Sequence, residues 1–149
     1  MRFVGLDVGL RRIGVAVSDA SGTLARPVGV IDGSGPDRAL ELVAAEVARL
    51  GEDDGVAAIV VGLPRRLDGS PTTLTPVVEA FARRLEARLS LPVHLQDERL
   101  TSREAESRLA LREKDWRVRK RKLDAAAAAI ILQDYLDGRP RAGEAGTPA

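Results

Sequence analysis

The chain begins with short apolar runs punctuated by glycine. Arg2–Val8 and Ile13–Asp19 are rich in Val and Ile and read as two strands, with Gly9–Arg12 turning tightly between them. Thr23–Ile31 is a third, more broken strand. It contains Pro27, which cannot donate to a ladder and so suits a sheet edge. After a turn at 32–36, apolar residues at 40, 43, 44, 47 and 50 mark one stripe of a helix over Ala39–Leu50, with Pro36 in its first turn and Gly51 ending it. Val56–Val61 is a continuous apolar run, as expected of a strand covered on both faces. Gly62–Pro71 is a loop. Val77, Val78, Phe81, Leu85 and Leu89 restore helical spacing over Thr72–Leu89, and Pro92–Gln96 is a fifth strand.

Two further helices are expected. Thr101-Ser102-Arg103-Glu104 has the form of a capping box and opens one. Asp124–Leu136 is an alanine-rich last helix, closed by Gly138 and Pro140, whose small side chains allow close approach to a sheet. The order strand, strand, strand, helix, strand, helix, strand, helix, helix predicts an α/β fold. An antiparallel meander feeds two parallel crossovers, and the first strand lies centrally between the second and the fourth. Residues 1–138 form one domain, and the Gly/Pro/Ala-rich stretch 139–149 is expected to be a disordered tail.

Composition narrows the chemistry. A length of 149 residues with 44% hydrophobic content suits a single folded domain with a real core. No apolar run approaches the roughly 20 residues of a membrane span, and the N-terminus enters a strand without the regions of a signal peptide, so a cytoplasmic protein is expected. With no cysteine and one histidine, His94, disulfides, thiolate sites and His-rich metal sites are excluded; hard oxygen ligands remain. The net charge is only +1, but Arg112–Lys122 carries seven basic residues against two acids, an electrostatic footprint suited to a phosphate backbone or simply a solvated face.

Asp7 lies inside the first apolar strand. A buried carboxylate costs several kcal/mol unless it is paired, hydrogen-bonded or bound to a metal. Asp97-Glu98 and Asp124 stand at the edges of later elements. The expectation is that such acids converge on a divalent cation, Asp7 being otherwise explained by pairing to Arg11 or Arg12, and Asp124 by capping its helix.

Four segments, GLDVGLRRIGVAVSD at 5–19, VVGLPRRLDGS at 60–70, DERLTSREAE at 97–106 and KLDAAAAAIILQDYLD at 122–137, together resemble the YqgF/RuvX family of bacterial nucleases, in order and over nearly the whole chain. That family belongs to the RNase H-like superfamily and is related to the Holliday-junction resolvase RuvC. The resemblance implies a mixed five-stranded sheet flanked by helices, and an acidic site for Mg²⁺ or Mn²⁺ formed by Asp7, Glu98 and Asp124, with Asp97 as the fallback for Glu98. It further implies metal-dependent hydrolysis of phosphodiester bonds, in 5′-end processing of the 16S ribosomal RNA precursor. The alternatives are a resolvase-like DNA endonuclease and a non-catalytic nucleic-acid-binding ribosome-assembly factor. The expected partner is structured RNA or branched DNA, held by Arg11, Arg12, Arg65, Arg66, Arg99, Arg117, Arg119, Lys120, Arg121 and Lys122, with no membrane and with a homodimer as one arrangement. Asp68 and Ser70 are expected to position substrate, and Arg99 and Thr101 either to contact phosphate or to cap the helix that follows.

Overall fold

The computed structural model describes residues 1–33, 35–98 and 116–139, with the backbone alone for 116–120. Eight elements follow in the order β1 (Arg2–Val8), β2 (Arg12–Ser18), β3 (Ala25–Asp32), α1 (Pro36–Leu50), β4 (Val56–Leu63), α2 (Thr75–Leu89), β5 (Val93–Asp97) and α3 (Trp116–Gly138). The expected helix at 101–104, Arg99, Thr101 and the tail beyond Arg139 lie outside the described residues.

The five strands form one sheet in the order β3-β2-β1-β4-β5. β1 pairs antiparallel with β2 and parallel with β4; β2–β3 is antiparallel and β4–β5 parallel. The meander and the central β1 are therefore as the order of elements implied. Pro27 does sit on an edge strand, opposite a register shift at Val15/Ala16 that absorbs its missing donor.

Alternation divides the sheet into two cores. On one face, Val4, Leu6 and Val8, Ile13, Val15 and Val17, and Ile59 and Val61 pack under the stripes of α1 and α2. On the other, Phe3, Ala16, Ala58 and Val60 pack against Ala128, Ile131, Leu132 and Leu136 of α3. The hydrophobic stripe read from α1 is the buried one, Leu40, Val43, Ala44, Val47 and Leu50. Helix α2 starts at Thr75 rather than Thr72, because residues 72–74 form a turn closed by hydroxyls: the Thr72 N–H donates to Thr75 Oγ1 at 2.8 Å, and the Leu74 N–H to Thr72 Oγ1 at 3.2 Å.

The largest departure is α3. The residue pattern places its start at Asp124, yet the helix begins at Trp116, more than two turns earlier. Lys and Arg are good helix formers, so a basic run continues a helix rather than interrupting it. Asp124 is thereby an interior helical residue, and the capping explanation for it fails. At the far end, Gln133 ties α3 to the start of the β3 edge, accepting from the Ala25 N–H at 2.9 Å and donating to Thr23 O at 2.9 Å.

Three glycines on neighbouring strands make this packing possible. A Cβ on Gly5 would lie 2.7 Å from Leu132 Cβ, one on Gly62 would lie 2.5 Å from Ile131 Cδ1, and one on Gly14 would lie 1.9 Å from the backbone oxygen of Asp124. Helix backbone thus rests directly on sheet backbone at Gly14. Gly14→Ala is expected to cost about 3 kcal/mol or more, the upper end for overpacking, because a helix main chain cannot yield as a side chain does. Gly29→Ala on β3, where nothing lies within 4 Å of the new methyl, should be within about 1 kcal/mol of wild type. Urea unfolding of the two variants checks the contrast.

Candidate active site

Three of the sequence-predicted acids meet at the end of the sheet where β1, β4 and β5 terminate. Asp7 is the next alternating position after Phe3 and Gly5 on the α3 face, and its Cα partner across the β1–β2 ladder is Gly14. The Asp124 backbone lies on that same Gly14. The third acid comes from the end of β5: the Glu98 N–H donates to Leu63 O at 3.2 Å, extending the β4–β5 ladder one residue past Asp97.

Alternation then decides between the adjacent acids. Asp97 pairs with Leu63, which belongs to the α1/α2 core, so Asp97 points to that side. Glu98 points to the α3 side, where its Oε2 lies 3.0 Å from the position a Cβ on Gly62 would take. The Asp7 and Glu98 carboxyls are close enough to share a hydrogen bond. Glu98 Oε2 is buried and has no hydrogen-bond partner among the described residues.

Burial is the main reason both acids resist ionisation. Desolvation raises the Asp7 pKa, and the nearby charge of Asp124 raises it further, while the hydrogen bond from Glu98 opposes the shift. Glu98 is raised by desolvation, then by the Asp7 charge and the hydrogen bond to it, then by Asp97. Burial therefore favours one proton shared between the two carboxyls over two adjacent charges. The partly exposed Asp124 does not join this pair. Its Oδ2 lies 3.2 Å from Arg12 Nε, in an ion pair whose side chains are 27% (Arg12) and 29% (Asp124) exposed. Among the described residues Arg12 is thus paired with Asp124 and not with Asp7.

The donor set suits a hard divalent cation: three carboxylates from three parts of the chain, among them the buried Glu98 Oε2 with no donor among the described residues, and a proton that a cation would displace. As the side chains stand, the described residues contain no ready cluster of three acidic or histidine ligands, and Asp124 is paired with Arg12. The expected convergence is therefore partial: two acids in contact, the third adjacent and held by a cationic side chain.

The predicted phosphate-binding residues are spread around this edge. Arg11 is exposed beside Arg12 on the β1–β2 turn. Arg65 donates to Gly69 O at 3.1 Å and so braces its own loop, beside Arg66. In that loop Asp68 Oδ1 accepts from the Ser70 N–H at 2.9 Å and from the Ser70 hydroxyl at 2.6 Å, so these two residues shape the turn. Arg121 pairs with Asp32 at 2.9 Å. Lys122 follows Arg121 on α3, as Arg117, Arg119 and Lys120 precede it.

Sequence reasoning missed Gly14 and Gly62 as floor residues and missed the Arg12–Asp124 pair. A signal was present: Gly14, Ala16 and Ser18 alternate as a small-residue face of β2, as Ala58, Val60 and Gly62 do on β4. The pairing of Arg12 had no sequence signal, since it depends on where α3 crosses the sheet.

A family model described as RuvX, Holliday junction resolvase, matches residues 1–138. The chain belongs to the RuvX family. A Chloroflexus aurantiacus relative, provisionally named a pre-16S rRNA nuclease, is 46% identical over 137 residues, covering 91% of this chain and 86% of the relative. One from Anaeromyxobacter dehalogenans, with the same name, is 46% identical over 139 residues, covering 93% and 98%. Among solved structures, Thermus thermophilus RuvC in complex with a Holliday junction substrate superposes with a TM-score of 0.55 at 17% identity, covering 91% of this chain and 94% of that one. The fowlpox virus Holliday junction resolvase superposes with a TM-score of 0.55 at 12% identity, covering 92% and 98%. The fold of this RuvX-family chain is accordingly the RNase H-like one, a mixed five-stranded sheet with flanking helices.

The shared proton predicts a pH dependence. An acid whose pKa is raised on folding stabilises the fold fully below its unfolded value, near 4, and loses that contribution as pH rises through the folded value. Metal-free protein should therefore lose stability from about pH 4 upward, by about 1.4 kcal/mol for each unit by which a folded pKa exceeds the unfolded one. Asp7→Asn should flatten that slope. Thermal melts of both proteins from pH 4 to 9 in chelator provide the comparison; parallel profiles would contradict the shared proton.

Proposed function

We propose that this chain is a metal-dependent nuclease that hydrolyses phosphodiester bonds in RNA, acting at the 5′ end of the 16S ribosomal RNA precursor. The observation that carries the reading is the Asp7–Glu98 pair. Two carboxyls are buried against one another at the ends of β1 and β5, with Glu98 Oε2 lacking a donor among the described residues. Folding selects against such a pair unless something is gained from it, and a divalent cation between the carboxylates supplies the gain. The names of the relatives direct the reading to ribosomal RNA.

Asp7, Glu98 and Asp124 are the residues that would hold Mg²⁺ or Mn²⁺. Bound there, such a cation would supply Lewis-acid chemistry for the hydrolysis of a phosphodiester. The protein's own part is to desolvate the carboxylates beneath Ile131 and Gly62, to surrender the shared proton, and to guide the backbone. Arg11 and Arg66 in the turns that follow β1 and β4, Arg12 at the start of β2, and the basic run of α3 from Arg117 to Lys122 would supply that guidance. Arg65 acts through its loop. No helix among the described residues is long and apolar enough to cross a membrane. A cytoplasmic location follows from the proposed substrate.

A second reading, cleavage of four-way DNA junctions, is favoured by the family's description and by the fold shared with RuvC. A substrate panel separates the two: 16S precursor RNA, single-stranded RNA and a four-way DNA junction, each with Mg²⁺ or Mn²⁺. Cleavage of the precursor at its 5′ end, reduced by at least about 100-fold in Asp7→Asn and Glu98→Gln, is the expected outcome. Junction cleavage alone would select the second reading. Binding without cleavage by wild type would show a non-catalytic assembly factor.

The basic run gives a separate expectation. Joint neutralisation of Arg117, Arg119, Lys120, Arg121 and Lys122 should weaken binding of all sequences alike. It should also flatten the log–log salt dependence by about 0.7–0.9 for each phosphate that is no longer neutralised. Binding of one hairpin over a salt series, in wild type and variant, measures this. An unchanged slope would make the run a solvated face.

A further inference from the structure

We propose that Arg12 is a latch: it holds Asp124 away from the Asp7–Glu98 pair, and a nucleic-acid phosphate that engages Arg12 releases Asp124 to complete the divalent-cation site. The inference rests on the reading of the three acids as cation ligands, and goes beyond it by making cation binding depend on substrate.

Four observations carry it. Arg12 and Asp124 form an ion pair at 3.2 Å through Nε, and both side chains are only partly covered, so a polyanion can reach the guanidinium. The main chain of Asp124 is already in place, pressed on Gly14, which is the Cα partner of Asp7 in the β1–β2 ladder. Completing the site therefore asks for side-chain torsions of Asp124 and no movement of α3. Asp7 and Glu98 are already in contact, and Asp124 is close enough for its charge to act on Asp7, so the third acid is adjacent to the pair while its carboxylate faces Arg12. Arg12 opens β2 at the end of the sheet where β1 terminates, next to the exposed Arg11, on the side of the acids from which a backbone can approach.

The balance of charges fixes the direction of the switch. With neither cation nor phosphate present, turning Asp124 toward Asp7 adds a like charge to the pair and breaks an ion pair, so the latched arrangement is favoured. A phosphate offers Arg12 a bidentate, doubly charge-assisted partner through the fork of its guanidinium, and weakens its hold on Asp124. A cation then finds three carboxylates rather than two. Because each ligand removes an obstacle to the other, the coupling is positive and must be reciprocal: nucleic acid tightens cation binding and the cation tightens nucleic-acid binding by the same factor. Arg12 is on this account a positioning residue, and the site is assembled only where there is backbone to cut.

The test is a calorimetric titration of Mn²⁺ into wild type, Arg12→Gln, Arg12→Lys and Asp124→Asn. Each is run alone and with a phosphorothioate RNA hairpin that resists cleavage, with the hairpin's own Mn²⁺ uptake subtracted. In wild type the hairpin should tighten Mn²⁺ binding by about fivefold or more, the lower end of typical couplings. Arg12→Gln should bind Mn²⁺ more tightly than wild type without the hairpin and gain nothing from it. Arg12→Lys keeps the charge without the fork and should retain a reduced gain. Asp124→Asn should bind Mn²⁺ weakly under both conditions, with no gain. Mn²⁺ affinity of wild type indifferent to the hairpin, or weaker Mn²⁺ binding by Arg12→Gln alone, would overturn the latch while leaving the cation site intact. Absence of Mn²⁺ binding in wild type and Arg12→Gln under both conditions would overturn the cation site and the latch together. Thermal melts of the apo variants separate either result from loss of the fold.

Discussion

Among the described glycines the tightest surroundings are those where α3 meets the sheet at Gly14, and the site depends on that contact. At Gly14 the helix main chain sits where any side chain would be, and at Gly5 and Gly62 the side chains of Leu132 and Ile131 fill the space left by the missing Cβ atoms. This contact sets the height and angle at which Asp124 crosses above Asp7. It also seals the far end of the carboxyl pair, because Ile131 and the Glu98 carboxylate occupy neighbouring positions over Gly62. The alanines of α3 and the alternate glycines of β1, β2 and β4 are two halves of one device, in which small residues on both surfaces let backbone meet backbone.

The acids owe their character to that packing. In water two carboxyls would ionise near pH 4 and separate. Beneath the helix the same groups are desolvated and share a proton, a state that suits a cation and is costly without one. Asp124, more exposed, is handled differently: an arginine from the neighbouring strand balances it. The three acids are thus of two kinds, an inner pair governed by burial and an outer one governed by an ion pair. Surface pairs elsewhere, such as Arg88–Glu41 between α1 and α2, are exposed and worth little to stability by comparison.

Much of the frame was legible in the residues. Periodicity of two and of 3.6 marked the strands and helices, Pro27 marked the edge, and the element order implied the position of β1, because these signals are local and the rules of strand connection are few. Membership of the RuvX family followed from ordered motifs, and the fold agrees with it. The choice of Glu98 over Asp97, made on resemblance, has an independent physical ground in the pairing of Asp97 with Leu63.

What the residues alone determined was therefore which segments are strands and helices, which faces are apolar, and which acids are candidates. Three matters were decided only in three dimensions. Helix α3 extends back to Trp116 because a basic run carries no stop signal. Asp68 and Ser70 are bonded to each other because the loop folds back on itself. Asp124 is joined to Arg12, more than a hundred positions earlier in the chain, because α3 crosses β2 at Gly14. Local pattern records what each segment is; a contact between distant segments depends on the crossing point of two packed surfaces, which no local pattern encodes.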